Sequence, residues 1–174
     1  MSGFVGVPVF RIEDTEGAPL ERPDYRPTKF PPLFEVAERL GVPVAYVPFV
    51  ERFKGFYSPG EDRIVLCSHD VRVFFHELAH AAHARVLRER GESIRGGQVA
   101  SQEIVAETCA ATLCRLYSFD GYLFSGAESI RSYANGKSPA QAALRVLADV
   151  QAVLTLILET AEAEPASGRE AVAA

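Results

Sequence analysis

A chain of 174 residues with 48% hydrophobic positions can bury one substantial core and is too short for two ordinary domains. Its formal net charge of −5 excludes a surface that holds nucleic acid by bulk electrostatics, which needs clustered Lys and Arg to neutralise phosphates. The three cysteines, Cys67, Cys109 and Cys114, form no CxxC and no paired framework, which excludes a disulfide-stapled fold and predicts reduced thiols in the cytoplasm.

The opening "MSGFVGVPVF" has no basic leader, and no run of about 18 apolar residues follows, so a soluble chain with no membrane span is expected. Residues 1–32 hold "EDTEGAPLERPDYRPTKFPP", too proline-rich for a helix or a central strand, and read as an extended arm. One domain, 33–163, is predicted after it. "PLFEVAERLG" has helical spacing from Pro32 to Leu40 and ends at Gly41, a C-terminal cap. "VPVAYVPF" and "FKGFYS" are rich in β-branched and aromatic residues, and "PGED" separates the latter from "RIVLCS". This predicts a hairpin turning at Pro59–Asp62 within a small antiparallel sheet. After Ser68 the apolar period lengthens to about 3.6, predicting a helix to about Arg90 capped by Ser68 or Asp70. "GESIRGG" breaks it. A second long helix, Val99–Tyr117, is apolar on most faces and so belongs inside the helical layer. A short helical segment is predicted at Ala127–Ala134, and a long helix at Pro139–Ala163, with Ser138 as cap and proline at the first helical position. Residues 164–174 read as a fraying tail. The fold class is α+β.

Within "VRVFFHELAHAAHARVLRERG", His76 and His80 lie one turn apart on a helix face and can present imidazole nitrogens to one ion. Two imidazoles and a carboxylate suit Zn²⁺, one per chain, with a position left for water. Glu77 neighbours that face and can act as general base. In "SQEIVAETCA", Glu103 and Glu107 are also four apart. Glu103 is favoured as the third ligand, with Glu107 accepting the second ring N–H of a ligating histidine, although spacing alone leaves their order open. His83 lies seven residues, about 10 Å, beyond His76 and cannot share the ion, so it reads as a surface residue or one beside the site. His69 belongs to the capping turn, and Cys109 and Cys114 to the core. Arg85, Arg88, Arg90 and Arg95 read as a solvated face.

The ordered blocks "GFYSPGEDRIVL", "FFHELAHAAH", "QEIVAETCAATLC" and "SIRSYANGKSPAQAALRVLADVQAVLTLIL" resemble the zincin-like metallopeptidase domain of ArdC-type antirestriction proteins. "VFRIEDTEGAPL" is similar to the stretch that leads into that domain, so the likeness runs to about residue 160. ImmA/IrrE-type metallopeptidases are related. The resemblance implies a small sheet beside a helical layer, with the metal between the two long helices. Mapped by motif, His76 and His80 match the histidine ligands, Glu77 the base, and the "QEIVAE" block the acidic ligand. It further implies a setting on mobile elements, where such proteins shield incoming DNA from restriction, usually with a domain for single-stranded DNA ahead of the peptidase. Only the short arm stands there in this chain, so the expected partner is a protein or peptide and not nucleic acid. "RIVL", Arg63–Leu66, is a candidate exposed strand for aligning an extended peptide, and Tyr57, Arg131 and Tyr133 are candidates to stabilise an oxyanion. The competing reading is a catalytically silent, zinc-stabilised module that works by occupying a protein or DNA partner.

Overall fold

The computed structural model describes residues 23–49, 51–97, 99–119, 131–133 and 138–163, with positions 8, 14, 16 and 17 standing alone. Most of the predicted arm, most of the segment at Ala127–Ala134 and all of the tail lie outside the described residues. Helix α1, Phe34–Arg39, is followed by strands β1, Val44–Tyr46, β2, Gly55–Ser58, and β3, Arg63–Leu66. The predicted turn between β2 and β3 is present, with Asp62 in the left-handed region at φ 50°.

The sheet has three strands in the order β1-β3-β2 and is mixed, not antiparallel as expected: β3 is antiparallel to β2 but parallel to β1. The reason is the long excursion 47–54 between β1 and β2, which leaves the middle position vacant for β3 to enter from its hairpin. "RIVL" is therefore the central strand and cannot be the exposed one. Its main-chain groups alternate between neighbours: Ile64 N–H donates to Pro43 O and Val47 N–H to Leu66 O, while Cys67 N–H donates to Lys54 O on the other side. By the same alternation, Lys54, Phe56 and Ser58 face β3, and the main-chain groups of Gly55 and Tyr57 point out from the open edge of β2.

Helix α2, Val71–Glu89, starts where predicted, with the Asp70 carboxylate accepting from Arg72 N–H at 2.9 Å and Ser68 Oγ accepting from Asp70 N–H at 3.1 Å. Gly91, at φ 74°, ends it. Helix α3, Ala100–Leu116, follows. The predicted last helix is broken at Val146 (φ −112°, ψ 12°) into α4, Pro139–Arg145, and α5, Leu147–Glu162. The break lets α4 lie on α3 while α5 crosses α1, α2 and α3. Ser138 Oγ accepts from Gln141 N–H at 3.2 Å, the expected cap.

Helix α2 is the centre of the molecule, touching the sheet on one side and α3 and α5 on the other. Phe74, Phe75 and Leu78 are at most 1% exposed, each contributing about 1.5–3 kcal/mol of burial, and Ala79, Ala81 and Ala82 let the neighbouring elements come close. Gly55 does the same for β2: a Cβ there would sit 2.8 Å from Leu66 Cδ2 and from Val73 Cγ1 of α2. Arg85 departs from the expected solvated face. Its guanidinium donates to both Asp62 carboxylate oxygens, at 2.8 and 3.0 Å, and to Leu40 O at 2.8 Å, tying α2 to the hairpin turn and to the end of α1. Arg39 donates to Thr160 O at 2.6 Å and Ala163 O at 2.7 Å, closing the carbonyl end of α5.

Candidate metal centre

Burial of Phe75, Leu78 and Ala79 orients α2 so that the face carrying His76 and His80 turns toward α3. The two helices run antiparallel there, as the pairings show: Arg72 opposite Glu107, and His76 and His80 opposite Glu103. His76 Nε2 and His80 Nε2 are 3.1 Å apart. Glu103 Oε2 is 3.4 Å from His76 Nε2, and its Oε1 is 3.7 Å from His80 Nε2. Ligands about 2.0–2.1 Å from a tetrahedral ion are separated by edges of about 3.3 Å, and one ligand atom from each of the three residues lies within 4.8 Å of the others, close enough for the group to hold a single ion. Among the described residues, His76, His80 and Glu103 are the group so arranged.

The electrostatics ask for positive charge. Burial raises the proton affinity of the Glu103 carboxyl, but the ring nitrogens of His76 and His80 outweigh it and hold the group at about 2. Burial pushes His76 down, yet its bond to Glu103 and the charges of Glu77 and Glu107 leave it raised. Glu77 is 6% exposed, and burial raises its carboxyl against the pull of both histidines and of a bond from the Tyr57 backbone N–H. Three carboxylates thus surround two imidazoles in a desolvated setting, the donor set of a cation site.

Glu107 stands one turn along α3. Its Oε2 accepts from Arg72 Nη2 at 2.6 Å, and its Oε1 lies 3.6 Å from His76 Nδ1. The cluster of His76, His80 and Glu103 opens into a cleft of about 330 Å³ bounded by Gly55 and Tyr57 of the β2 edge, by Arg95 and Gly96 of the α2–α3 loop, and by Tyr133. With its amide oriented to satisfy both groups, Gln102 donates to Arg95 O at 3.0 Å and accepts from Arg95 N–H at 2.9 Å, fixing that loop.

The three oxyanion candidates differ. The Tyr57 hydroxyl donates to Asp62 Oδ1 at 2.7 Å, and burial, then Asp62, push it to about 12, so it serves the hairpin turn. Tyr133 lines the cleft, raised by burial and by the negative charge of Glu103 and Glu107. Arg131 is exposed and outside the cleft lining. His69 Nε2 meets Tyr25 O at 2.8 Å, holding the segment before α1, while Asp70 and Ser68 do the capping. Cys109 and Cys114 are buried as expected, their thiols pushed up to about 12 and about 11 by burial. Arg72 was missed by sequence reasoning, although its spacing of four from His76 was a usable signal.

His83 is not on the surface: it is 3% exposed, neither ring nitrogen has a hydrogen-bond partner, and Asp149 Oδ2 is 3.8 Å from Nε2. The face it shares with His76 is covered there by α5. Burial lowers its proton affinity, opposed by Asp149 and Glu92 and supported by His80 and Arg90. A histidine held neutral contributes stability that is full above its unfolded value of 6.5 and is lost as pH falls through the lower folded value. In His83→Leu, thermal melts should show a stability gain of about 1 kcal/mol at pH 7, since two unsatisfied polar atoms are removed, and a shallower loss as pH falls below the unfolded value of 6.5. A lower melting temperature with an unchanged pH slope would contradict this account.

Compared with protein-family models, with curated proteins and with solved structures, the chain matches none.

Proposed function

We propose that the chain is a zinc-dependent metallopeptidase of zincin-like design, with His76, His80 and Glu103 holding one ion and Glu77 as general base. The observation that carries this reading is the set of donor separations, 3.1, 3.4 and 3.7 Å, beside a buried Glu77 carboxylate and open to a cleft. A structural zinc site is closed by four protein ligands, whereas three ligands facing a cleft leave a position for substrate or water. A zinc ion held by His76, His80 and Glu103 would supply Lewis acidity toward a carbonyl and acidify water.

Glu77 performs the proton transfers. Its carboxylate, made more basic by burial, removes a proton as the water oxygen bonds to the carbonyl carbon, and delivers it to the amine as the C–N bond breaks. The β2 edge, in place of "RIVL", aligns an extended peptide: the outward main-chain groups of Gly55 lie on the cleft wall. Tyr133 remains the candidate to donate to the developing oxyanion. The resemblance of its sequence blocks to ArdC-type proteins suggests an antirestriction or regulatory setting for this activity.

One observation favours the silent-module reading. The ligands come from two helices, so a bound ion would staple α2 to α3 without any turnover. The test is metal content by elemental mass spectrometry, followed by incubation with a mixture of unstructured peptides read by mass spectrometry. The proposal expects about one zinc per chain and cleavage that a chelator removes and zinc restores. Zinc without cleavage favours the silent module, and no zinc after zinc is supplied ends both readings.

A further inference from the structure

Resting on the metal reading above, we infer that Arg72 is a positioning residue for the metal ligand His76, acting through Glu107. Arg72, His76 and His80 are spaced by four on α2, and Glu103 and Glu107 by four on α3, so the antiparallel faces form a ladder of alternating partners. The end rung is an ion pair with Arg72 Nη2 2.6 Å from Glu107 Oε2, both side chains largely buried. The other oxygen of Glu107 is 3.6 Å from His76 Nδ1, whereas His76 Nε2 faces His80 and Glu103.

This asymmetry assigns the two nitrogens. A carboxylate fixed beside Nδ1 favours the tautomer with its proton there, which leaves the Nε2 lone pair for the ion and holds the ring in its plane. The guanidinium also decides between the two acidic residues. By engaging Oε2 it keeps Glu107 away from the ligand position, so Glu103 is the carboxylate that faces both Nε2 atoms. Without the cation, Glu107 would be a buried carboxylate free to swing toward the histidines.

The test measures zinc affinity by competition with a chromophoric chelator, together with the visible absorption of the Co²⁺-substituted protein. Arg72→Met keeps the aliphatic stem and removes the charge, and Arg72→Lys returns a charge without the planar fork. The expected result is a 10–100-fold loss of zinc affinity and an altered Co²⁺ spectrum in Arg72→Met, with partial recovery in Arg72→Lys. Glu107→Gln should give a similar loss, and Arg72→Met added to it should give little more, because both act on one nitrogen. Glu107→Gln also stands in if Arg72→Met fails to fold. Wild-type affinity and an unchanged spectrum in folded Arg72→Met, or in Glu107→Gln where Arg72→Met does not fold, overturn the inference and leave the metal site standing. A wild-type protein that takes up no zinc overturns the metal reading, and this inference with it.

Discussion

The wild-type protein is expected to bind about one zinc ion per chain, and His80→Ala and Glu103→Ala are each expected to lose it. Each substitution removes one of three donors, and a neighbouring group cannot replace it without moving: Glu107 is held by Arg72 at 2.6 Å, and His83 points into the contact with α5. The effect is visible in stability as well as in metal content. An ion that binds only the folded chain adds about 4 kcal/mol at a thousandfold excess over its dissociation constant, or roughly 8–16 °C in melting temperature for a chain of this size. Both variants should lose that zinc-dependent rise. Their metal-free forms should also melt somewhat below wild type, because the attraction of His76 and His80 that holds the Glu103 carboxyl at about 2 is weakened in one variant and lost in the other. A Glu103→Ala protein that still takes up stoichiometric zinc would move the third ligand elsewhere, with Glu107 first in line.

Glu77→Gln separates chemistry from metal binding. Glutamine keeps the volume of the buried side chain, and its carbonyl oxygen can still accept from the Tyr57 backbone N–H. Zinc should therefore be retained, while peptide cleavage falls by about 10²–10⁴-fold, the usual contribution of a positioned general base. The pH behaviour of stability is a second readout. Burial raises the Glu77 carboxyl above 4.5, so this group's contribution is full at low pH and declines as pH rises through the folded value. The metal-free Gln variant lacks that decline, and at pH 8 it should melt no lower than wild type. Full peptidase activity in Glu77→Gln would remove this residue from the reaction. Cleavage lost while a biological activity survives would support the silent module.

Local features of this protein were legible in the residues themselves because they depend on neighbours a few positions away. Helical period places His76 beside His80 and Glu103 beside Glu107. Asp70 can cap α2 and Ser138 can cap α4 within one turn, and "PGED" can only be a turn between its flanking strands. What each face meets is a property of packing between distant segments, and there the sequence was silent or misleading. Nothing local says that β3 enters between β1 and β2, so "RIVL" read as an exposed strand and the sheet as antiparallel. Polar residues near the end of α2 read as solvated because their identity suggests water. Arg85 is instead held by Asp62 and Leu40 O, and His83 lies under α5 without a partner. Tyr57 offered a hydroxyl to the cleft by its position, and the turn at Asp62 took it. The ladder from Arg72 to Glu103 is the clearest division: each helix carries its spacing of four in the sequence, but only the antiparallel contact of α2 with α3 brings the cation to Glu107 and the carboxylate of Glu103 to the histidines. Spacing along a helix is set by its geometry, whereas the pairing of two faces is set by which arrangement buries the most apolar surface, a decision of the whole core.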